Sequence, residues 1–493
     1  MKKIRVKISI YLILGILCMT SLSACKKFID IPPPTTEVTT ASVFNNNATA
    51  TSAILNIYYT MDVNNEDSYY LASTTGLLSD ELTNYSSSPI DKDYYTNSMN
   101  VADVTGRTSG GETGCWGDAY NCIYQANAVI SGLQNNTGVT LAAKQQLTGE
   151  AYFIRAFWHF TLTNVYGDVP LALTTDYTVT SKLSRTPQKL VYQQCISDLK
   201  VAESLLNSNY VDASDTTVTT ERVRPNKYAA EALLAKIYLY ADDYQDAKTA
   251  ASSVISNTGL YSIDTDPNNV FLKNSTEAIL QLQAVTPQRN NGATWDGQNF
   301  ILTAPPTNGY GGANCTTISP QLMAAFEPGD TRQTKWISSL TIDGQTYYFP
   351  FKYKYNGNTA GGTNYEYTMV LRLAEQYLIL AEAEANLNDM GDATTNLNII
   401  RSRAGLPPSS VLTPTATLAQ AESAILHERQ VELFTEWGDR WFDLRRTGTI
   451  DAVMSVVKPL KSGGNSWSNI DALFPIPLSE VGADPKLTQN LGY

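Results

Sequence analysis

The stretch LRLAEQYLILAEAEANLNDMGDATTNLNIIRSRAGL, Leu371 to Leu406, decides the fold. Leu373, Tyr377, Leu380, Ala381 and Ala385 recur at the three- and four-residue spacing that lines one face of a helix. The pattern breaks from Asn388 to Gly391, where Gly391 suits the left-handed backbone that closes a helix and Asp392 suits the cap of the next. Ala393, Leu397, Ile400 and Ala404 then make a second stripe. The segment therefore reads as two antiparallel helices, nested through small alanines.

Moving outward, Tyr228 to Ile255 repeats the design. Leu234, Ile237 and Tyr238 precede a turn at Ala241-Asp242-Asp243, and Tyr244, Ala247, Ala251 and Val254 follow it. Trp116 to Ser131 pairs with Leu141 to Asn164, and Pro187 to Leu206 runs ahead of the Tyr228 helix; a last helix is expected over Leu418 to Trp437. Small and aromatic residues at fixed places in helix pairs resemble tetratricopeptide repeats, whose units stack into one continuous core. The predicted fold is mainly α, a tetratricopeptide-like helical-repeat scaffold over about 114–258 and 368–446 with long loop and short-strand insertions. Two stretches, about 62–113 and 259–367, are rich in polar residues with scattered aromatics and are expected to be loop-rich. Repeat units flank the second, so 41–493 reads as a single domain.

The N-terminus carries Lys2, Lys3, Arg5 and Lys7, an apolar run from Ile8 to Met19, and Leu22-Ser23-Ala24-Cys25. The run is too short for a membrane span and ends in small residues, the pattern of a signal peptide over 1–24. Its spacing fits a bacterial lipobox, with Cys25 as the lipidated first residue of the mature chain. Residues 25–40, with Pro32-Pro33-Pro34 and many threonines, read as a tether.

With 43% hydrophobic and 17% charged residues the chain has the composition of a folded protein. Its formal charge is −12, which argues against nucleic acid as a partner; losing the signal's four basic residues makes it more negative still. Cys115, Cys122, Cys195 and Cys315 form no metal pattern, and the first two would lie about 10 Å apart on one helix, beyond disulfide reach. His159 and His427 each sit in a helical pattern with no second ligand nearby in sequence. Neither a cofactor nor a metal is implied.

The tail from Glu428 to Arg446 holds Glu428, Arg429, Glu432, Glu436, Asp439, Arg440, Asp443, Arg445 and Arg446. Interleaved arginines favour ion-paired carboxylates over the protonated acid that glycoside hydrolysis needs. Glu150 and Arg155 read the same way, and Trp116, Trp437 and Trp441 as core. Sugar binding asks for flat aromatic faces with amides and carboxylates reaching hydroxyls. The two polar stretches supply them: Asn84 and Tyr85 in DELTNYSSSP, Tyr94 and Tyr95 in DKDYYTN, Trp295 and Asp296 in ATWDGQNF, and Tyr310 in TNGYGGAN.

The order of motifs is similar to that of the SusD/RagB family over nearly the full length. CKKFID from Cys25, RAFWHFTLTNVYGDVPL from Arg155 and RTPQKLVYQQCISDL from Arg185 carry the resemblance, followed by LRLAEQYLILAEAEA from Leu371, HERQVELFTEWGDRWFDLRRTG from His427 and LFPIPLSEVGADPKLTQNLGY at the end. It implies a Bacteroidetes outer-membrane lipoprotein facing the cell exterior. Such a protein does no chemistry of its own, binds oligosaccharide or in some members peptide, and delivers it to a SusC-type TonB-dependent transporter. A structural repeat adaptor that binds no small ligand is the other reading compatible with the scaffold.

Overall fold

Antiparallel helix pairs are the repeating element of the computed structural model, which describes residues 43–63, 66–103, 114–284, 291–306 and 314–493. Signal peptide, Cys25, tether and Tyr310 lie outside the described residues. Phe44–Tyr493 is one compact unit. It opens with helix α1 (Asn47–Val63), a π-helical turn (Glu66–Tyr70), α2 (Leu71–Leu78), strand β1 (Leu82–Asn84) and α3 (Pro89–Tyr95). The first long pair is α4 (Gly114–Leu133) with α5 (Leu141–Tyr166), followed by β2 (Val169–Pro170), β3 (Arg185–Thr186) and α6 (Gln188–Leu205). Next come α7 (Lys227–Tyr240) and α8 (Tyr244–Ser256), joined by the predicted turn, where Asp242 takes φ 58° and Asp243 caps α8 through Asp246 N.

The insertion follows: β4 (Ala278–Leu282), α9 (Trp295–Phe300), β5 (Thr316–Ile318), a hairpin of β6 (Ile337–Ile342) and β7 (Gln345–Pro350), and β8 (Thr368–Arg372). Asp343 and Gly344 both have positive φ, as the tight hairpin turn requires. β8 pairs antiparallel with β4 and runs directly into α10 (Leu373–Asn386). Then come α11 (Met390–Arg403), α12 (Leu418–Glu432), α13 (Asp439–Arg446) and α14 (Ile450–Val457).

Two local expectations are corrected. The turn between α10 and α11 closes on Asn388 at φ 63°, with Asp389 as the cap that accepts from Asp392 N, while Gly391 lies inside α11. Asn tolerates the left-handed region because its short amide bonds locally. And α12 stops at Glu432, because Thr435, Trp437 and Gly438 all take positive φ before α13 begins. The α11 stripe packs as read, with Ala393, Leu397 and Ile400 in the core, but on α10 the residues facing α11 and Ala421 and Ile425 of α12 are Ala374, Leu378, Ala381 and Ala385, so the predicted stripe holds at Ala381 and Ala385 and is shifted by one residue before them, with Tyr377 at its edge. Helix α10 is buried on nearly every side, since α7, α8, α11 and α12 all pack against it.

Candidate functional site

The two aromatic stretches meet along a seam built from α9, β1, β5 and the β6–β7 hairpin. Thr294 caps α9, its hydroxyl accepting from Gly297 N at 3.0 Å. An added Cβ at Gly297 would collide with the Tyr355 carbonyl, so only glycine lets α9 lie this close to that segment. Three contacts then fasten α9 to the N-terminal region. Trp295 Nε1 donates to Asp62 O at 2.6 Å, Ser68 Oγ donates to Asp296 Oδ2 at 2.7 Å, and Phe300 meets Tyr69 edge to face at 4.9 Å. The Trp295 bond reaches a carbonyl in the last turn of α1.

From Phe300 the seam continues through Ile301 and Leu302, which cluster with Phe349 and with half-buried Leu340, Tyr347 and Phe351. Tyr347 meets Tyr85 edge to face at 5.6 Å. β1 pairs with β5, and Tyr85 N donates to Cys315 O at 2.8 Å, so backbone as well as side chains tie the stretches together.

Along this seam Tyr85 is 38% exposed, and Asn84 and Trp295 are half-buried. Asn84 holds the next turn by accepting from Ser86 N at 2.9 Å. Asp296 is buried, and burial, only partly offset by the Ser68 hydroxyl, pushes its carboxyl up to about 6. Tyr94 and Tyr95 are not brought to the seam surface. Tyr94 is fully buried, its hydroxyl 3.0 Å from that of Tyr70 and its ring against Phe474. Tyr95 is 9% exposed, with Lys461 Nζ 5.3 Å from its ring centre. The described part of the 62–113 stretch is likewise less open than its composition implies. Every residue of α2 is buried, and its threonines become tolerable there because Thr74 and Thr75 donate to the Tyr70 and Leu71 carbonyls. Sequence reading passed over Tyr347 as the partner of Tyr85; the alternation in QTYYFP, which turns Tyr347 and Phe349 to one face and Tyr348 to the other, was the available signal.

The charged tail forms a buried ion-pair network. Glu432 receives Arg332 at 2.8 Å, Arg372 at 2.5 Å and Arg403, and these guanidiniums overcome the opposing effect of burial to hold its carboxyl well below the usual range. Arg429 pairs with Asp443 at 2.6 Å, Arg446 with Glu382 at 2.5 Å, Lys236 with Asp439 at 2.6 Å and Arg440 with Asp80 at 2.7 Å. Glu150 pairs with Arg224, and Arg155 with Asp198. Trp116, Trp437 and Trp441 are buried, as are Cys115, Cys122, Cys195 and Cys315.

His159 is buried against Arg155 O, and its imidazole is pushed down to about 3 by burial. His427 departs from the sequence reading, since the fold brings ligand atoms of Glu327, His427 and Glu428 within 4.8 Å of one another. Arg401 already lies between the two carboxylates, at 2.5 Å and 3.2 Å, and takes the place a cation would fill. A cleft of about 560 Å³ beside α12 and α13 is lined by the Glu382–Arg446 pair, Arg440, His427, Glu422 and Tyr244. It offers one tyrosine ring and a charged lining that includes the Glu382–Arg446 pair, whereas the seam offers several tyrosine, phenylalanine and tryptophan rings.

Known proteins share this arrangement of elements. The SusD family model matches residues 331–493, and the model described as "Starch-binding associating with outer membrane" matches residues 27–239. SusD-like protein P2 of Formosa agariphila is 27% identical over 419 residues, covering 76% of this chain and 79% of the relative. A SusD superfamily protein from Bacteroides vulgatus superposes with a TM-score of 0.73 at 21% identity, over 91% of this chain and all of the other. Surface glycan-binding protein A from Bacteroides uniformis does so with a TM-score of 0.71 at 19% identity, over 90% of this chain and 98% of the other.

Proposed function

Since this chain belongs to the SusD/RagB family, we propose that it captures oligosaccharide at the cell surface, along the Trp295–Tyr85 seam, and delivers it to a TonB-dependent outer-membrane transporter. The observation that carries the reading is the fixed, partly exposed aromatic pair. Trp295 is oriented by its bond to the Asp62 carbonyl and Tyr85 by the ring of Tyr347, so neither has to be ordered when a ligand arrives. Sugar C–H faces stack on such rings, and Asn84, half-buried and next to Tyr85 in sequence, is the candidate for hydroxyls. Asp296 serves as a positioning residue through Ser68. No described helix is long and apolar enough to cross a membrane; lipidation of Cys25 supplies the attachment to the outer membrane in this reading. The carboxylates of the tail are engaged by arginines and lysines, which supports binding rather than hydrolysis.

Isothermal calorimetry of the mature chain with a panel of neutral oligosaccharides tests this. At least one should bind, and Tyr85→Ala and Trp295→Ala should each weaken it on the order of tenfold, about 1.4 kcal/mol. Binding of peptides with no glycan bound, or affinities unchanged in both variants, would overturn the assignment.

A further inference from the structure

A second surface repeats the chemistry of the seam. Tyr59 on α1 and Tyr124 on α4 are 46% and 55% exposed. Both stand within regular helices, so neither ring pins a loop, and their exposed area contributes little to packing. Between them, Asn56 Nδ2 donates to Gln125 Oε1 at 2.9 Å, and Gln125 Nε2 donates to Asn121 Oδ1 at 3.4 Å. This relay of neutral amides bridges the two helices. Tyr59 lies three residues after Asn56 and Tyr124 three after Asn121, the spacing of neighbours on one helix surface. The relay leaves Asn56 Oδ1 as an acceptor and the Asn121 amide nitrogen as a donor, both on exposed side chains. Bridged amides with acceptor and donor capacity left over, flanked by two rings, suit the hydroxyls and C–H faces of a sugar.

The surface is also continuous with the seam. Asp62, whose carbonyl holds Trp295, follows Tyr59 by three residues on α1, about 4.5 Å of helix rise. We infer that the α1–α4 face is a second contact surface for the same oligosaccharide, engaging units of a longer chain beyond those at the seam. This rests on the glycan reading above.

The test compares chain lengths. Affinity electrophoresis in soluble starch, laminarin and xylan, with calorimetry on the trisaccharide of each, would be run on the mature chain, the Tyr59→Ala/Tyr124→Ala double variant and Tyr85→Ala. For a polysaccharide that retards the wild type, the double variant should lose at least fivefold in polymer affinity while keeping trisaccharide affinity and an unchanged circular dichroism spectrum. Tyr85→Ala should weaken both. Unchanged polymer affinity in the double variant, or an equal loss on polymer and trisaccharide, overturns the second surface and leaves the seam standing. No retardation of the wild type in any of the three polymers counts against the glycan reading and takes the second surface with it.

Discussion

Trp295 and Asp296 are adjacent in sequence, and composition gives both the look of ligand residues, yet the fold gives them different work. The indole stays half-buried while the carboxylate turns inward to Ser68. Burial raises Asp296 from 3.8 to about 6, against the lowering effect of the Ser68 hydroxyl and of its own backbone N–H, with Glu436 and Lys352 acting in opposite directions. Unfolding returns the group to its ordinary range, so its contribution to stability is fully present below about pH 4 and lost as pH rises through about 6. At 1.36 kcal/mol per unit the ionised form costs the fold up to about 3 kcal/mol near neutrality. Asp296→Asn keeps an oxygen for Ser68 and removes the titration. Urea unfolding should therefore show the wild type losing up to about 3 kcal/mol relative to this variant between pH 4 and pH 7.5; a pH-independent difference would refute the assignment. Glu432 lies at the other extreme, where three arginines outweigh burial and keep a carboxylate ionised. Burial beside one unbonded lysine against burial within three bonded arginines is a distinction of space, and nothing in the string of residues displays it.

Helix pairs were the legible elements because alanine-rich stripes repeat at the helical period, and the turn at Ala241-Asp242-Asp243 lies where its polar residues place it. What could not be read was set by packing across the chain. α2 looks like a polar loop until the threonine back-bonds are counted, and Asn388 rather than the nearby Gly391 takes the left-handed turn. β1, in the N-terminal stretch, finds β5 of the insertion more than two hundred residues away, a pairing that no local pattern announces. The placement of α9 depends on one such long-range fit, the bare backbone of Gly297 under the Tyr355 carbonyl. Gly297→Ala should cost about 1–3 kcal/mol through overpacking and weaken glycan binding, because α9 must move and Trp295 moves with it. Gly482, in the Leu478–Ala483 helix with open space around it, is the control; alanine there should be neutral or stabilising by up to about 1 kcal/mol and leave binding intact. Equal effects at the two glycines, measured by denaturation and calorimetry, would show that the close approach does not govern α9.

Across the whole molecule, distant parts are cross-linked by polar contacts that composition records only as charge and amide content. Arg332 and Arg372 of the insertion reach Glu432 of α12, Arg403 of α11 reaches Glu277 beside β4, and Asp80 after α2 holds Arg440 of α13. The C-terminal residues do the same for the first long pair. Asn490 Nδ2 donates to Tyr166 O and Phe474 O, both at 2.8 Å, Gln489 exchanges two bonds with the backbone of Ile476, and Arg185 donates to Thr488 O at 3.2 Å and to Asn490 Oδ1 at 2.5 Å. Removing 486–493 would take these donors from Tyr166 O at the end of α5 and from Phe474 O and Ile476 O, at about 1–3 kcal/mol for each group left unsatisfied. Because Phe44–Tyr493 is one compact unit, that cost should be felt by all of it. The truncated chain should melt at a lower temperature than the full chain, still in one transition, with helix circular dichroism and tryptophan fluorescence coincident. Two separated transitions, or an unchanged midpoint, would mean that the tail stabilises only itself and that the repeats do not share one cooperative core.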